Sequence, residues 1–331
     1  MMARALYSIC LKHFPGANYA LENLDRACGM TRHIRLASTR ADSPEVTFVS
    51  ELLRAQKPRV VLFGGWSGVY ETLMENLRDT PIHFVVYWTS SGGQTDISQE
   101  LPKLAALLEM EHVRLCFSSR GMAQTFQALN FPAYYLPLTL VEPTMPAPVE
   151  EAHPPFISLF CPPAEYKRKN ILNALLALAQ LRGEWKLVVN GLSQDAAYAV
   201  VLKALRLPYT DWGWMERAQY ENNLWQIDVG LQLSFAETFD YVAAEHLLRG
   251  IPVLASPMVP VMDLLDAETR AALVVTRADD AEAIRAQLQT LVDAPGLRAK
   301  LGGRARGALR AANQKNIAAA RQVLRQFLET A

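Results

Sequence analysis

The sequence predicts an α/β protein with parallel sheets wrapped by helices, and three observations carry that prediction. Short apolar runs alternate with helical patterns along nearly the whole chain. Glycine-rich or polar turns close several of those runs. A proline-rich stretch near the middle divides the pattern in two, as suits 331 residues of which 50% are hydrophobic, enough for a core in each half. Lys plus Arg and Asp plus Glu both number 33, so bulk charge neither demands nor excludes a polyanionic partner.

The first half opens on a strand from Ala5 to Cys10 and the loop KHFPGAN, whose Asn18 is placed to cap a helix through Leu21 and Leu24. A second strand is expected near Ile34, and a third, fully buried, from Arg59 to Phe63. Gly64, Gly65, Trp66, Ser67 and Gly68 follow, then the helical VYETLMENL. Such a turn lets a ligand approach the backbone and meet a helix N-terminus, though glycine serves a tight turn of positive φ equally well. The strand Ile82 to Trp88 ends in Thr89, Ser90, Ser91, Gly92 and Gly93, a second flexible loop on the same edge. Gly64, Gly65, Trp66, Thr89 and Ser90 are therefore candidates to line a binding edge. A helix around Leu104 to Leu108, the run VRLCFSS, a helix from Met122 to Leu129 and AYYLPLTL complete this half.

The segment 141–155, VEPTMPAPVEEAHPP, holds five of the chain's 19 prolines and reads as a linker. It separates an N-terminal domain, 1–140, from a C-terminal one, 156–310, with a terminal helix over 311–331. The second half restarts with FISLFC, Phe156 to Cys161, and the loop PPAEYKRKN ahead of the helix ILNALLALAQL. Lys167, Arg168, Lys169 and Asn170 thus crowd a helix N-terminus, a place that favours an anion; a solvated charge run is the plain alternative. The strand WKLVVN ends in Asn190 and Gly191, before a helix from Tyr198 to Leu205. Trp212, Gly213 and Trp214 then form a loop that could stack a base or fold over a core.

The stretch SFAETFDYVAAEHLLRGIPVLAS, Ser234 to Ser256, joins a strand end, a loop, a helix and a further strand around two acids. Glu237 lies just before the first helical turn and Glu245 about two turns along, where Gly250 and Pro252 stop the helix. By spacing alone this is also an ordinary unit with solvated acids. A loop PMVPVMDLL, a strand ALVV and a helix from Asp280 to Leu291 follow. From Leu297 to Leu328 the tail is helical, and Arg298, Lys300, Arg304, Arg306, Arg310, Lys315, Arg321 and Arg325 have no acid between them. Such a face suits an anionic membrane or nucleic acid, or simply water. Cys10, Cys28, Cys116 and Cys161 show no metal-type pairing and read as reduced thiols of a cytosolic protein. With no run of about 18 apolar residues and no signal-peptide pattern, a cytoplasmic location with at most peripheral membrane contact is expected.

The order of these signals resembles the retaining GT-B glycosyltransferases of family four. The resemblance covers much of the C-terminal half: Lys169 and Asn170 at a helix start, Gly191 after a strand, Gly213 in a loop, Asp228 before a strand, then Ser234, Glu237, Glu245, Gly250, Pro252 and Val253. In the N-terminal half the domain pattern is similar but the motifs are eroded. The resemblance implies two Rossmann-like domains facing a central cleft, with the nucleotide-sugar donor in the C-terminal domain, the acceptor on the N-terminal one and a last helix crossing back. It implies no metal and no cofactor, because Lys169 and Arg168 neutralise the diphosphate of a UDP- or GDP-sugar. Glu237 would touch the donor sugar and Glu245 the ribose hydroxyls. Asn190 and Gly191 would line the donor, Trp214 and Met215 flank the base, and Thr238, Phe239 and Asp240 bring helix N-terminal amides to the phosphates.

Two positions depart from the family pattern. Asp240 stands where many relatives carry glycine, and Thr89 where they often carry a histidine, leaving His83, His13 or none for that place. The expected acceptor is a glycan or lipid-linked glycan. A hydroxylated DNA base, which Arg32, His33, Arg35, Arg40 and the basic tail permit, is the alternative acceptor. A sugar-nucleotide-binding module without turnover and a two-domain epimerase are the other readings.

Overall fold

A computed structural model describes residues 6–12, 15–29, 32–89, 105, 109–110, 112–143, 153–162 and 165–331. His13, Ser90 to Gly93, most of the expected helix at Leu104 to Leu108 and most of the proline-rich linker lie outside the described residues. The chain divides into two compact units, Met1–Val141 with Asn313–Ala331, and Glu142–Ala312.

In the first unit six parallel strands are ordered β2-β1-β3-β4-β5-β6. They are β1 (Leu6–Leu11), β2 (Arg32–Leu36), β3 (Val60–Gly64), β4 (His83–Trp88), β5 (Val113–Phe117) and β6 (Ala133–Tyr135). The near-continuous burial of the central β1, β3 and β4 is what parallel strands covered on both faces require. Among the described residues four helices connect them: α1 (Pro15–Cys28), α2 (Pro44–Gln56), α3 (Gly68–Asn76) and α4 (Arg120–Ala128). Ser43, Ser67 and Ser119 cap the last three through their hydroxyls. Asn18 is not a cap. The helix already begins at Pro15, a residue suited to a first turn, and the Asn18 amide instead donates to the Leu11 carbonyl at 2.8 Å. The core packs Phe63, Tyr70 and Phe84 as stacked rings.

In the second unit five parallel strands are ordered β11-β10-β7-β8-β9. These are β7 (Phe156–Leu159), β8 (Lys186–Val189), β9 (Tyr209–Asp211), β10 (Val229–Gln232) and β11 (Val253–Ala255). Counted within the unit this is the order 3-2-1-4-5, so the sheet reverses direction of winding between β7 and β10. The helices are α5 (Ile171–Leu178), α6 (Ala196–Ala204), α7 (Arg217–Asn223), α8 (Tyr241–Leu248), α9 (Ala267–Leu273), α10 (Ala281–Asp293) and α11 (Pro295–Thr330). The strand expected at ALVV is not one: α9 takes up its start, and only Val274 bridges Ala255. Two valines after a short helix read with its last residues like a buried strand because periodicity cannot separate the two at that length.

Helix α11 is a single element of 36 residues whose last part belongs to the first unit. There Asn313 clasps Leu140 through both amide atoms, each at 2.9 Å, and Phe327 packs edge-on against Tyr134. Four of its eight cations, Arg298, Lys300, Arg304 and Arg310, have acid partners. Arg304 pairs with Asp266 at 2.7 Å and Glu268 at 2.6 Å, Arg310 with Glu142 at 2.9 Å, and Arg321 donates to the Ala27 carbonyl. All four cysteines are free, with only Cys28 not fully buried.

Helix α11 meets the turn after α8 backbone to backbone: a Cβ on Gly302 would stand 1.7 Å from the Gly250 carbonyl oxygen, whereas one on Gly303 meets nothing within 4 Å. Gly302→Ala should therefore destabilise the protein by ~3 kcal/mol or more, since backbone has to move. Gly303→Ala should be neutral or stabilising by up to about 1 kcal/mol. Paired urea melts check both, and equal effects would contradict the close approach.

Candidate functional site

The reversal between β7 and β10 sets the location, because open α/β sheets of this kind bind ligands at the carboxyl ends of the strands where the winding reverses. The turn after β7 carries Glu165, Arg168 and Lys169; the loop after β10 carries Ser234 to Asp240. The two loops are joined where Phe235 donates its amide to the Arg168 carbonyl at 2.8 Å.

Around that joint the charged side chains converge. Arg168 Nη1 donates to Glu237 Oε1 at 2.6 Å, Lys169 Nζ reaches the same oxygen at 2.8 Å, and Ser234 Oγ donates to it at 2.9 Å. Arg168 also pairs with Glu165 and donates to the Ala236 carbonyl. Lys169 is only 7% exposed. Its ammonium meets Asp240 Oδ2 at 3.0 Å and Gln232 Oε1 at 3.2 Å. Burial by itself would lower its pKa, but Asp240 and Glu237 together hold it above the usual lysine value, so it stays charged. Arg168 is likewise held protonated by Glu237 and Glu165 against the cost of burial.

Asp240 begins α8 with φ +70°, in the left-handed region, and its Oδ1 accepts from the Ala243 amide at 3.0 Å. Thr238 is half-buried and Phe239 buried just ahead of it. Glu245, buried on the same helix, accepts from Arg217 Nη2 at 2.7 Å. Arg217 in turn binds Glu221 at 2.6 Å and lies over the Tyr220 ring.

The next residue, His246, anchors α8. Its Nδ1 faces the Val242 carbonyl at 2.7 Å and must therefore carry the proton, which leaves Nε2 to accept from Ser158 Oγ at 2.8 Å on β7. Burial pushes its pKa down to about 4.

On the other side of β7 the loops after β8 and β9 form one unit. Asp211 accepts from the amides of Gly191 at 2.6 Å, Ser193 at 2.9 Å and Gly213 at 2.8 Å, and from the Ser193 hydroxyl. Burial works against this carboxylate, yet those hydrogen bonds outweigh it and hold its pKa below the usual range. Gly191 and Gly213 have φ of +90° and +68°, which a side chain would strain. Asn190 Oδ1 accepts from the Cys161 amide at 2.9 Å, and burial lifts the Cys161 thiol to about 12, beyond use as a nucleophile at neutral pH. The tryptophans separate: Trp212 packs against Phe160, while Trp214 is 67% exposed and free to stack. Met215 accepts a contact from Asn223 beside it.

The structure thus brings Lys169, Arg168, Glu237 and Asp240 together, and places Glu245 and the Asn190, Gly191, Trp214 and Met215 loops at the same sheet edge. Sequence reasoning passed over Asp211, Arg217, Gln232 and Glu165. Only Asp211, standing just before a Trp-Gly-Trp turn, had a local signal. Among the first-unit candidates, Gly65 has φ +80°, and a Cβ on Gly64 would meet Leu21 and Cys10 within 2.9 Å. Trp66 is 7% exposed and belongs to the core, and Thr89 is half-buried at the end of β4. Among the described residues no group of three or more His, Cys, Asp or Glu side chains is arranged to hold a metal ion, and no helix is long and apolar enough to cross a membrane.

The unfolded chain protonates His246 near pH 6.5 but the folded one only near 4, so between these values the unfolded state binds more protons. Stability should fall by ~3 kcal/mol from this residue as pH drops from 7 to 4. His246→Gln should start less stable and show a shallower loss, checked by denaturant melts at several pH values. Taking the difference between the two proteins removes the opposite contribution of Asp25, whose burial raises its pKa to about 6.

Comparison with solved structures finds this architecture among glycosyltransferases. Sucrose-phosphate synthase from Thermosynechococcus elongatus aligns with a TM-score of 0.74 at 16% identity, over 98% of this chain and 100% of that one. HepE from Anabaena, solved in complex with UDP and glucose, gives 0.73 at 14% identity, over 99% and 100%. WaaG, a glycosyltransferase involved in lipopolysaccharide biosynthesis, gives 0.62 at 14%, over 92% and 95%. No protein-family model and no curated protein matches the sequence. At such identities the likeness is one of fold, and the fold, two parallel-sheet α/β units, is that of the GT-B glycosyltransferases.

Proposed function

We propose that this GT-B chain is a retaining glycosyltransferase that moves a sugar from a UDP- or GDP-sugar to the hydroxyl of a glycan or lipid-linked glycan, without a metal. The observation that carries the reading is the meeting of Arg168, Lys169 and Glu237 within 2.8 Å at the start of α8, on the edge where Glu245 and the Gly191 and Gly213 turns also lie. UDP and glucose bound to HepE, on the same fold, support a UDP-sugar as the donor.

The chemistry follows from charge. Breaking the bond between sugar and diphosphate leaves negative charge on a phosphate oxygen, which cations and helix N-terminal amides stabilise in a site sheltered from water. Arg168 and Lys169 supply the cations and α8 the amides. Glu245 accepts from the ribose hydroxyls and Trp214 stacks on the base. Glu237 Oε1 already receives two cations and a hydroxyl, so it is a poor nucleophile and serves to orient the sugar and the cations. Retention then comes from attack on the face the phosphate leaves, with a phosphate oxygen taking the acceptor proton.

Glu245→Ala should weaken nucleotide binding about tenfold or more with little change in kcat, whereas Lys169→Ala should lower kcat about a hundredfold. Mass spectrometry of products from mixed sugar nucleotides offered with glycan, lipid-linked and modified-DNA acceptors identifies the reaction. Binding without turnover across that panel would sink the enzyme reading, and an isomerised donor would point to an epimerase.

A further inference from the structure

Lysine 169 has three ammonium hydrogens and three protein acceptors: Glu237 Oε1 at 2.8 Å, Asp240 Oδ2 at 3.0 Å and Gln232 Oε1 at 3.2 Å. All three crowd the ammonium that a phosphate would have to approach. The acceptor that differs from the others is Asp240. With Oδ2 on the ammonium and Oδ1 on the Ala243 amide, its carboxylate spans a cation and a helix N-terminal N–H, the two kinds of group that bind an incoming anion. Around Arg168 and Lys169 stand three carboxylates, Glu165, Glu237 and Asp240, so the cluster is net negative before any anion arrives.

The backbone gives a second, independent observation. Asp240 holds φ +70° and ψ 84°, a conformation that glycine adopts without strain and a side chain does not. An aspartate kept there at a cost in strain, fully buried and bonded to the one buried lysine of the site, is a local outlier of the kind that accompanies function.

We propose that Asp240 is a specificity-determining residue whose carboxylate occupies the phosphate position of the donor site, so that a nucleoside diphosphate must displace it from Lys169 in order to bind. The inference rests on the proposed donor site. In wild type the Asp240 contacts hold Lys169 in place and lower the affinity for anions; when the donor enters, one anion replaces another on the same ammonium. The phosphate half of the donor pays this exchange, and the nucleoside half does not.

The test is titration calorimetry of wild type, Asp240→Asn and Asp240→Gly with UDP, GDP, ADP and CDP, each beside its nucleoside. Asp240→Asn keeps the helix cap but removes the charge; Asp240→Gly relieves the positive φ. The preferred diphosphate should bind about tenfold tighter to Asp240→Asn, with nucleoside affinity unchanged. A purely structural aspartate predicts the opposite, a loss on substitution. Equal or weaker diphosphate binding by Asp240→Asn overturns the proposal while leaving the donor site standing, and Asp240→Gly decides the matter if Asp240→Asn does not fold. If wild type and both variants bind no diphosphate, the donor site falls and this inference with it.

Discussion

A buried ammonium has to be paired, and in the second unit that requirement shapes the site. Lys169, removed from water, would be costly to keep charged, and removing one partner of such a pair leaves an uncompensated charge. Glu237 and Asp240 therefore have to come to it from the loop after β10, and Gln232 from the strand itself. This draws the turn after β7 and the loop after β10 together at the place where the sheet reverses. Arg168 extends the same logic outward by bridging Glu165 and Glu237.

The remaining parts of the site are held by single polar anchors. His246 ties α8 to β7 through Ser158, which holds the helix that carries Glu245. Asp211 gathers the amides of two glycine turns, so the loops after β8 and β9 move as one piece. Each anchor is a polar group with its hydrogen bonds satisfied, His246 fully buried and Asp211 partly so, the condition under which polar groups stiffen a structure. Between them they present an exposed Trp214, a carboxylate and two cations along one sheet edge.

Much of this arrangement was legible in the chain. Most strands fall within one or two residues of their expected places, because apolar runs bounded by turn residues report a local preference. The helices after Ser67 and around Glu245 are legible for the same reason. The errors are also local in origin: Asn18 looked like a cap because its residue type favours caps, and ALVV looked like a strand because short apolar runs are ambiguous. Helix α2 was passed over although Ser43, Pro44 and Glu45 mark its start. Trp66, a candidate for the binding edge from its place in a glycine turn, packs into the core instead.

By itself the sequence determined the alternation of strand and helix, the two-part division and the order of the site-bearing loops, since period, capping and turn chemistry act over a few residues. Only the tertiary structure decided which charges meet. Arg168 and Glu237 lie 69 residues apart, Arg217 and Glu245 lie 28 apart, and Asp211 collects amides from two separate turns. Such pairings depend on strand order, which no local signal encodes. The tertiary structure also decided that Asp240, a residue the sequence marks only as unusual, sets its carboxylate on the buried ammonium of Lys169.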